Sequence, residues 1–110
     1  MTTARDRLFE AKARIAAFSN ATPELFSGFA KISRVASTQK KITSANKELM
    51  ATAIAVVKGC DDCILYHVDG AKRHGADEGA LIEALEVAVE MGGGPAIMYA
   101  SKALQVFRDL

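Results

Sequence analysis

Apolar residues recur at helical spacing along nearly the whole chain. Ala4, Leu8, Ala11, Ile15 and Phe18 fall on one face, with Arg5, Arg7, Lys12 and Arg14 elsewhere on the wheel, which predicts an amphipathic helix over residues 3–18. After the connection Ser19-Asn20-Ala21, Thr22-Pro23-Glu24 supplies an N-cap residue, a proline for the first helical position and an acid for the first turn. The second helix therefore starts there and runs to about Ser37, with Leu25, Phe29, Ile32 and Ala36 as its stripe. The aromatics of these two helices, Phe9, Phe18, Phe26 and Phe29, read as packing residues rather than a cofactor box.

Thr43 or Ser44 caps a third helix carrying Glu48 and then Leu49 to Val57, a run apolar all round and so expected to be buried on every side. Lys58-Gly59 stops it, and a fourth helix begins near Cys60 and ends near His74-Gly75. His74 reads as a helix-end residue facing the terminal carbonyls. Asp77 caps a fifth helix from Glu78 to about Met91, on which Glu83, Glu86 and Glu90 form a narrow polar stripe. Gly92-Gly93-Gly94-Pro95 breaks and restarts the chain, and a last helix runs through Phe107. No lysine follows this glycine triplet as a phosphate loop requires, so it reads as a tight joint between helices. With no strand-like alternation of useful length and no internal repeat, the expected fold is all-α, five or six helices in a single domain over residues 1–110.

Composition sharpens this picture. Half of the 110 residues are hydrophobic, more apolar material than a monomer of this size comfortably buries, so the chain is expected to be an obligate homo-oligomer. A formal net charge of +1, with both signs interspersed, gives no footprint for nucleic acid or an anionic membrane. The longest nearly apolar run, Leu49 to Val57, is less than half of the roughly 20 residues a membrane span needs. The N-terminal residues alternate in charge and lead into no secretory hydrophobic core. Two cysteines in CxxC spacing fit a reducing compartment, and a cytoplasmic location is expected.

The chemistry concentrates at Gly59-Cys60-Asp61-Asp62-Cys63-Ile64-Leu65-Tyr66-His67. On a helix, Cys60, Cys63 and His67 fall in one row, and a hairpin at Lys58-Gly59 folds Glu48 back toward them. Glu48 heads an apolar run, where an ionised carboxylate needs partners, although it also reads simply as an acid at a helix start. Three readings compete: cysteines that merely pack, a zinc site, and thiol redox chemistry. Zinc lacks the second CxxC or CxxH half of a structural site. In the redox reading, His67 lies four residues after Cys63 and takes its proton, making Cys63 the nucleophile, while Cys60 closes a disulfide on the oxidised Cys63. The helix N-terminus favours thiolate and Asp61 and Asp62 oppose it, so a base is needed, namely His67 backed by Glu48.

The spacing of Glu48, Cys60, Cys63 and His67, with Gly75-Ala76 and Met91-Gly92-Gly93-Gly94-Pro95-Ala96 after it, resembles the alkyl hydroperoxidase D branch of the carboxymuconolactone decarboxylase family over about residues 40–105. The resemblance implies an all-helical fold assembled as trimers or hexamers, and a peroxidase that acts on hydroperoxides. It implies Glu48 and His67 as a proton relay, Cys63 for peroxide attack and Cys60 for resolution, with no bound cofactor or metal. A dithiol protein, thioredoxin-like or lipoyl-bearing, is the implied electron donor. The chain carries Asp62 where some hydroperoxidase members carry a histidine. The decarboxylase branch lacks the cysteine pair; its lactone chemistry and a non-redox or metal-binding oligomeric module are the alternatives.

Overall fold

The computed structural model describes residues 2–110, which form six helices and no strand. These are α1 (Ala4–Ala21), α2 (Pro23–Ser37), α3 (Ser44–Lys58), α4 (Asp61–Arg73), α5 (Glu78–Gly92) and α6 (Gly94–Asp109). Most boundaries are made by the capping residues the sequence offers. Thr3 and Asp6 form a reciprocal capping box at the start of α1, and the Thr3 N–H, then its hydroxyl, hold the Asp6 carboxyl below its usual range. The Thr43 hydroxyl accepts the Asn46 N–H at 3.1 Å, and Asp77 Oδ1 accepts the Ala80 N–H at 2.8 Å.

One boundary differs from expectation. α1 continues through Ala21, leaving Thr22 alone between α1 and α2, and the Thr22 hydroxyl donates back to the Phe18 carbonyl at 2.8 Å instead of capping α2. Closing the last turn of α1 satisfies an orphan carbonyl, and Pro23 needs no N–H partner, so the hydroxyl is better used backward.

α3 is the central element. It packs against α4, α5 and α6, with Val56, Thr52, Ile64, Val68 and Leu81 as the largest fully buried side chains. Many of the remaining core residues are small, including Ala55, Ala71, Ala88, Ala96 and Ala103, which lets helix axes approach closely. A Cβ on Gly92 would lie 2.8 Å from that of Ala96, so the glycine run does serve as a close joint between α5 and α6. α1 adds Ala4, Leu8 and Ala11 to this core, and its N-terminus is tied to the C-terminus of α6 by the Ala4 N–H donating to Asp109 Oδ2 at 2.6 Å.

Two expectations about burial do not hold within the single chain. Met50, Ile54 and Val57 leave one side of α3 open, because α4, α5 and α6 cover only the face that carries Leu49, Thr52, Ala55 and Val56. α2 buries no residue at all, and Phe9, Phe18 and Phe29 stand more than half exposed, with only Phe26 half-buried. The first two helices project their aromatic stripe away from the core instead of into it.

Leu81 is fully buried, and Leu81→Ala should lower unfolding free energy by about 2–5 kcal/mol in chemical denaturation, with helix content retained in the folded state.

Candidate functional site

The site is built across the α3–α4 hairpin. α3 ends in a left-handed residue, Gly59 at φ 69°, whose N–H reaches the Ala55 and Val56 carbonyls while the Cys60 N–H donates to Ala55 at 3.0 Å. Only Gly59 and Cys60 separate the two helices, so α4 runs back along α3. Cys60 is itself the N-cap of α4: its sulfur accepts the Cys63 N–H at 3.2 Å. Cys60 and Cys63 are joined by a disulfide with a Cα–Cα distance of 5.2 Å, and both residues are half-buried.

Glu48 and His67 meet across the hairpin, with Glu48 Oε2 2.8 Å from His67 Nδ1. The glutamate side chain is 15 % exposed and the imidazole 32 %, so the contact is shielded but open to solvent on the histidine side. A carboxylate only accepts, so the Nδ1 that faces it carries a proton, and in the neutral imidazole Nε2 is then the acceptor nitrogen. The first two turns of α4 thus carry the disulfide and, one turn beyond Cys63, an oriented imidazole. Glu48, Cys60, Cys63 and His67 are all gathered at this hairpin. His74 stands apart, exposed at the C-cap of α4, where its backbone N–H closes onto the Gly70 carbonyl.

Four supporting features were not legible beforehand. Gly70 lies under the Glu48 carboxylate: a Cβ there would be 2.6 Å from Oε2, so a side chain at this position would displace the acid. A glycine inside a helix costs about 1 kcal/mol against alanine, and that cost was the available signal of a close approach. The buried Thr52 hydroxyl donates to the Glu48 carbonyl at 2.8 Å, which fixes the turn of α3 below the acid. Asp69 is buried and gathers Arg73 Nε at 2.9 Å, Arg5 at 3.8 Å and Lys12 at 3.9 Å, tying α1 to α4. The two acids of the motif are also paired, Asp62 with Arg14 at 2.8 Å and Asp61 with Lys102 at 3.3 Å, and these partners lie too far away in sequence for any spacing rule to find.

The six-helix fold and the sequence together place the chain in a known class of helical proteins. The carboxymuconolactone decarboxylase family profile matches residues 23–106, and the chain belongs to that family. An uncharacterized protein of Cupriavidus necator is 44% identical over 109 residues, covering 99% of this chain and 96% of the relative. An uncharacterized protein of the cox locus of Paracoccus denitrificans is 36% identical, over 92% of this chain and 91% of its own. Among solved structures, an apo carboxymuconolactone decarboxylase family protein from Legionella pneumophila superposes with a TM-score of 0.88 at 36% identity, over 94% of this chain and 96% of that one. A Thermotoga maritima protein follows at a TM-score of 0.82 and 28% identity, over 94% and 91%.

Because a methyl group on residue 70 and the Glu48 carboxylate cannot occupy the same space, Gly70→Ala should push the acid off His67. The expected result is a loss of about 1–3 kcal/mol in stability and altered ring 15N shifts of His67, with the disulfide still formed. Unchanged ring shifts in a folded variant would contradict this geometry.

Proposed function

We propose that the chain is a thiol-dependent peroxidase of the alkyl hydroperoxidase D type, working without a bound cofactor in a reducing cytoplasm. The observation that carries this reading is the 2.8 Å contact of Glu48 on α3 with His67 on α4, the helix whose N-terminus carries the Cys60–Cys63 disulfide. In the reduced protein, Nε2 of His67 takes the Cys63 thiol proton, and the thiolate attacks the distal oxygen of a hydroperoxide. The O–O bond breaks, the alcohol leaves with the proton returned by His67, and Cys63 becomes a sulfenic acid. The Cys60 thiol then displaces water from Cys63 to give the disulfide. A dithiol protein, thioredoxin-like or lipoyl-bearing, reduces that disulfide by two successive exchanges and is itself oxidised.

The geometry also sets a competition between the cysteines. The Cys63 N–H points at the Cys60 sulfur, which favours charge on Cys60, whereas the imidazole four residues on favours Cys63. Peroxide attack requires proton transfer, which the imidazole supplies and the helix end does not.

We also propose that this peroxidase works as a homo-oligomer, a trimer or hexamer. Leu25, Phe29, Ile32 and Val35 form an exposed stripe on α2, and Met50, Ile54 and Val57 a second one on the side of α3 opposite its buried face. Exposed apolar stripes of this kind mark association surfaces, and a standard interface takes roughly 800 Å² per partner.

In single-turnover assays, Cys63→Ser should abolish reaction with hydroperoxide, and Cys60→Ser should react once and stall as a Cys63 sulfenic acid; a sulfenic acid on Cys60 in the first variant reverses the assignment. His67→Ala and Glu48→Ala should keep both thiols while His67→Ala slows hydroperoxide consumption on the order of 10²-fold. Sedimentation of the wild type should show a trimer or hexamer that Ile32→Glu dissociates, and a stable folded wild-type monomer at micromolar concentration would remove the assembly from the account.

A further inference from the structure

We infer that Tyr99 and Lys102 of α6 are positioning residues for the cysteine pair, clamping the turn that carries Cys60; the inference rests on the redox reading of the site. Tyr99 is half-buried, and its ring lies on Gly59: two ring carbons are 3.2 Å, and the hydroxyl oxygen 3.4 Å, from where a Cβ on that glycine would be. Lys102, on the next turn of α6, places Nζ 5.1 Å from the centre of the same ring and 3.3 Å from Asp61 Oδ1. Cys60 therefore sits between two residues that α6 holds, Gly59 under the tyrosine ring and Asp61 under the lysine.

The clamp matters because of what it restrains. Gly59, at a φ of 69°, is the residue type with the widest conformational freedom, and it directly precedes Cys60 in the chain. Cys60 is outside the helix, with extended backbone at φ −104° and ψ 98°, whereas Cys63 lies within its first turn. With the ring on Gly59, the Cys60 sulfur is kept at the position from which it closes on Cys63, so the effective concentration of one sulfur at the other is high. Without it, the reduced turn explores more states and the disulfide loses stability relative to the dithiol. The aromatic ring does this by contact, and no hydrogen bond of the Tyr99 hydroxyl is required.

Equilibration of the whole protein with glutathione tests the inference without any peroxide. In this exchange the protein dithiol reduces glutathione disulfide, giving the Cys60–Cys63 disulfide and two glutathione thiols. Tyr99→Ala should lower the equilibrium constant for disulfide formation about tenfold, which corresponds to a potential about 30 mV more oxidising. Tyr99→Phe should keep the wild-type value, because the ring remains. Lys102→Met should lower the constant by about two- to threefold, in keeping with an exposed ion pair. General destabilisation that affects dithiol and disulfide forms alike leaves the constant unmoved, so a fall rescued by phenylalanine identifies positioning. Wild-type constants in folded Tyr99→Ala overturn the inference; if that variant does not fold, a wild-type constant in Lys102→Met overturns it. Failure of the peroxidase reading looks different, namely a wild-type dithiol that ignores hydroperoxide while the glutathione shifts persist.

Discussion

Gly59 takes a left-handed φ of 69°, and through it α3 turns into α4 with only one further residue between them. That reversal is the constraint on which the site depends. Glu48 stands about 15 Å back from the end of α3 and Gly70 about 13 Å along α4, so the hairpin brings the acid level with the one position on α4 that lacks a side chain. There the carboxylate meets His67, and the imidazole it orients lies one helical turn beyond Cys63. A side chain at residue 59 would strain the turn and meet the Tyr99 ring; a side chain at residue 70 would meet the acid. The two glycines thus do separate jobs for one arrangement, the first setting the direction of α4 and the second its distance from α3.

The electrostatics of the α4 N-terminus follow from the same packing. Two acids beside the cysteines would disfavour a thiolate if they were unpaired. Instead α1 brings Arg14 to Asp62 and α6 brings Lys102 to Asp61, so the helix end keeps much of its preference for negative charge. Both pairs are solvent-exposed and add little to stability. Their effect is local: the charge of each acid beside the cysteines is matched from a neighbouring helix.

Local chemistry was legible in the sequence, and contacts between distant segments were not. Thr43, Gly59, Asp77 and Pro95 mark helix ends because capping and left-handed geometry are decided within a few residues. Cys63 and His67 share a face of α4, with Cys60 at its N-cap, for the same reason, and the hairpin that returns Glu48 to them follows from the stop at Gly59. Periodicity shows that α2 and α3 have apolar faces but not whether the same chain covers them. Hence the exposed stripes of Phe29 and Ile32 and of Met50 and Ile54 read from the sequence as core. Asp69 with Arg5 and Lys12, and Tyr99 on Gly59, join residues dozens of positions apart, and no spacing rule reaches them; only the Asp69–Arg73 pair has the i,i+4 spacing of a helix face.

The central claim is that the Cys60–Cys63 pair is a redox centre that closes at the expense of a hydroperoxide. Reduced wild-type protein, purified without a tag and treated with one equivalent of an organic hydroperoxide, is to be followed by thiol count, mass and zinc content together. The account predicts that both thiols disappear, that one alcohol forms per disulfide, and that the reduced protein holds no zinc. Thiols that persist in the presence of hydroperoxide, or zinc retained by the reduced protein through Cys60 and Cys63, would contradict it.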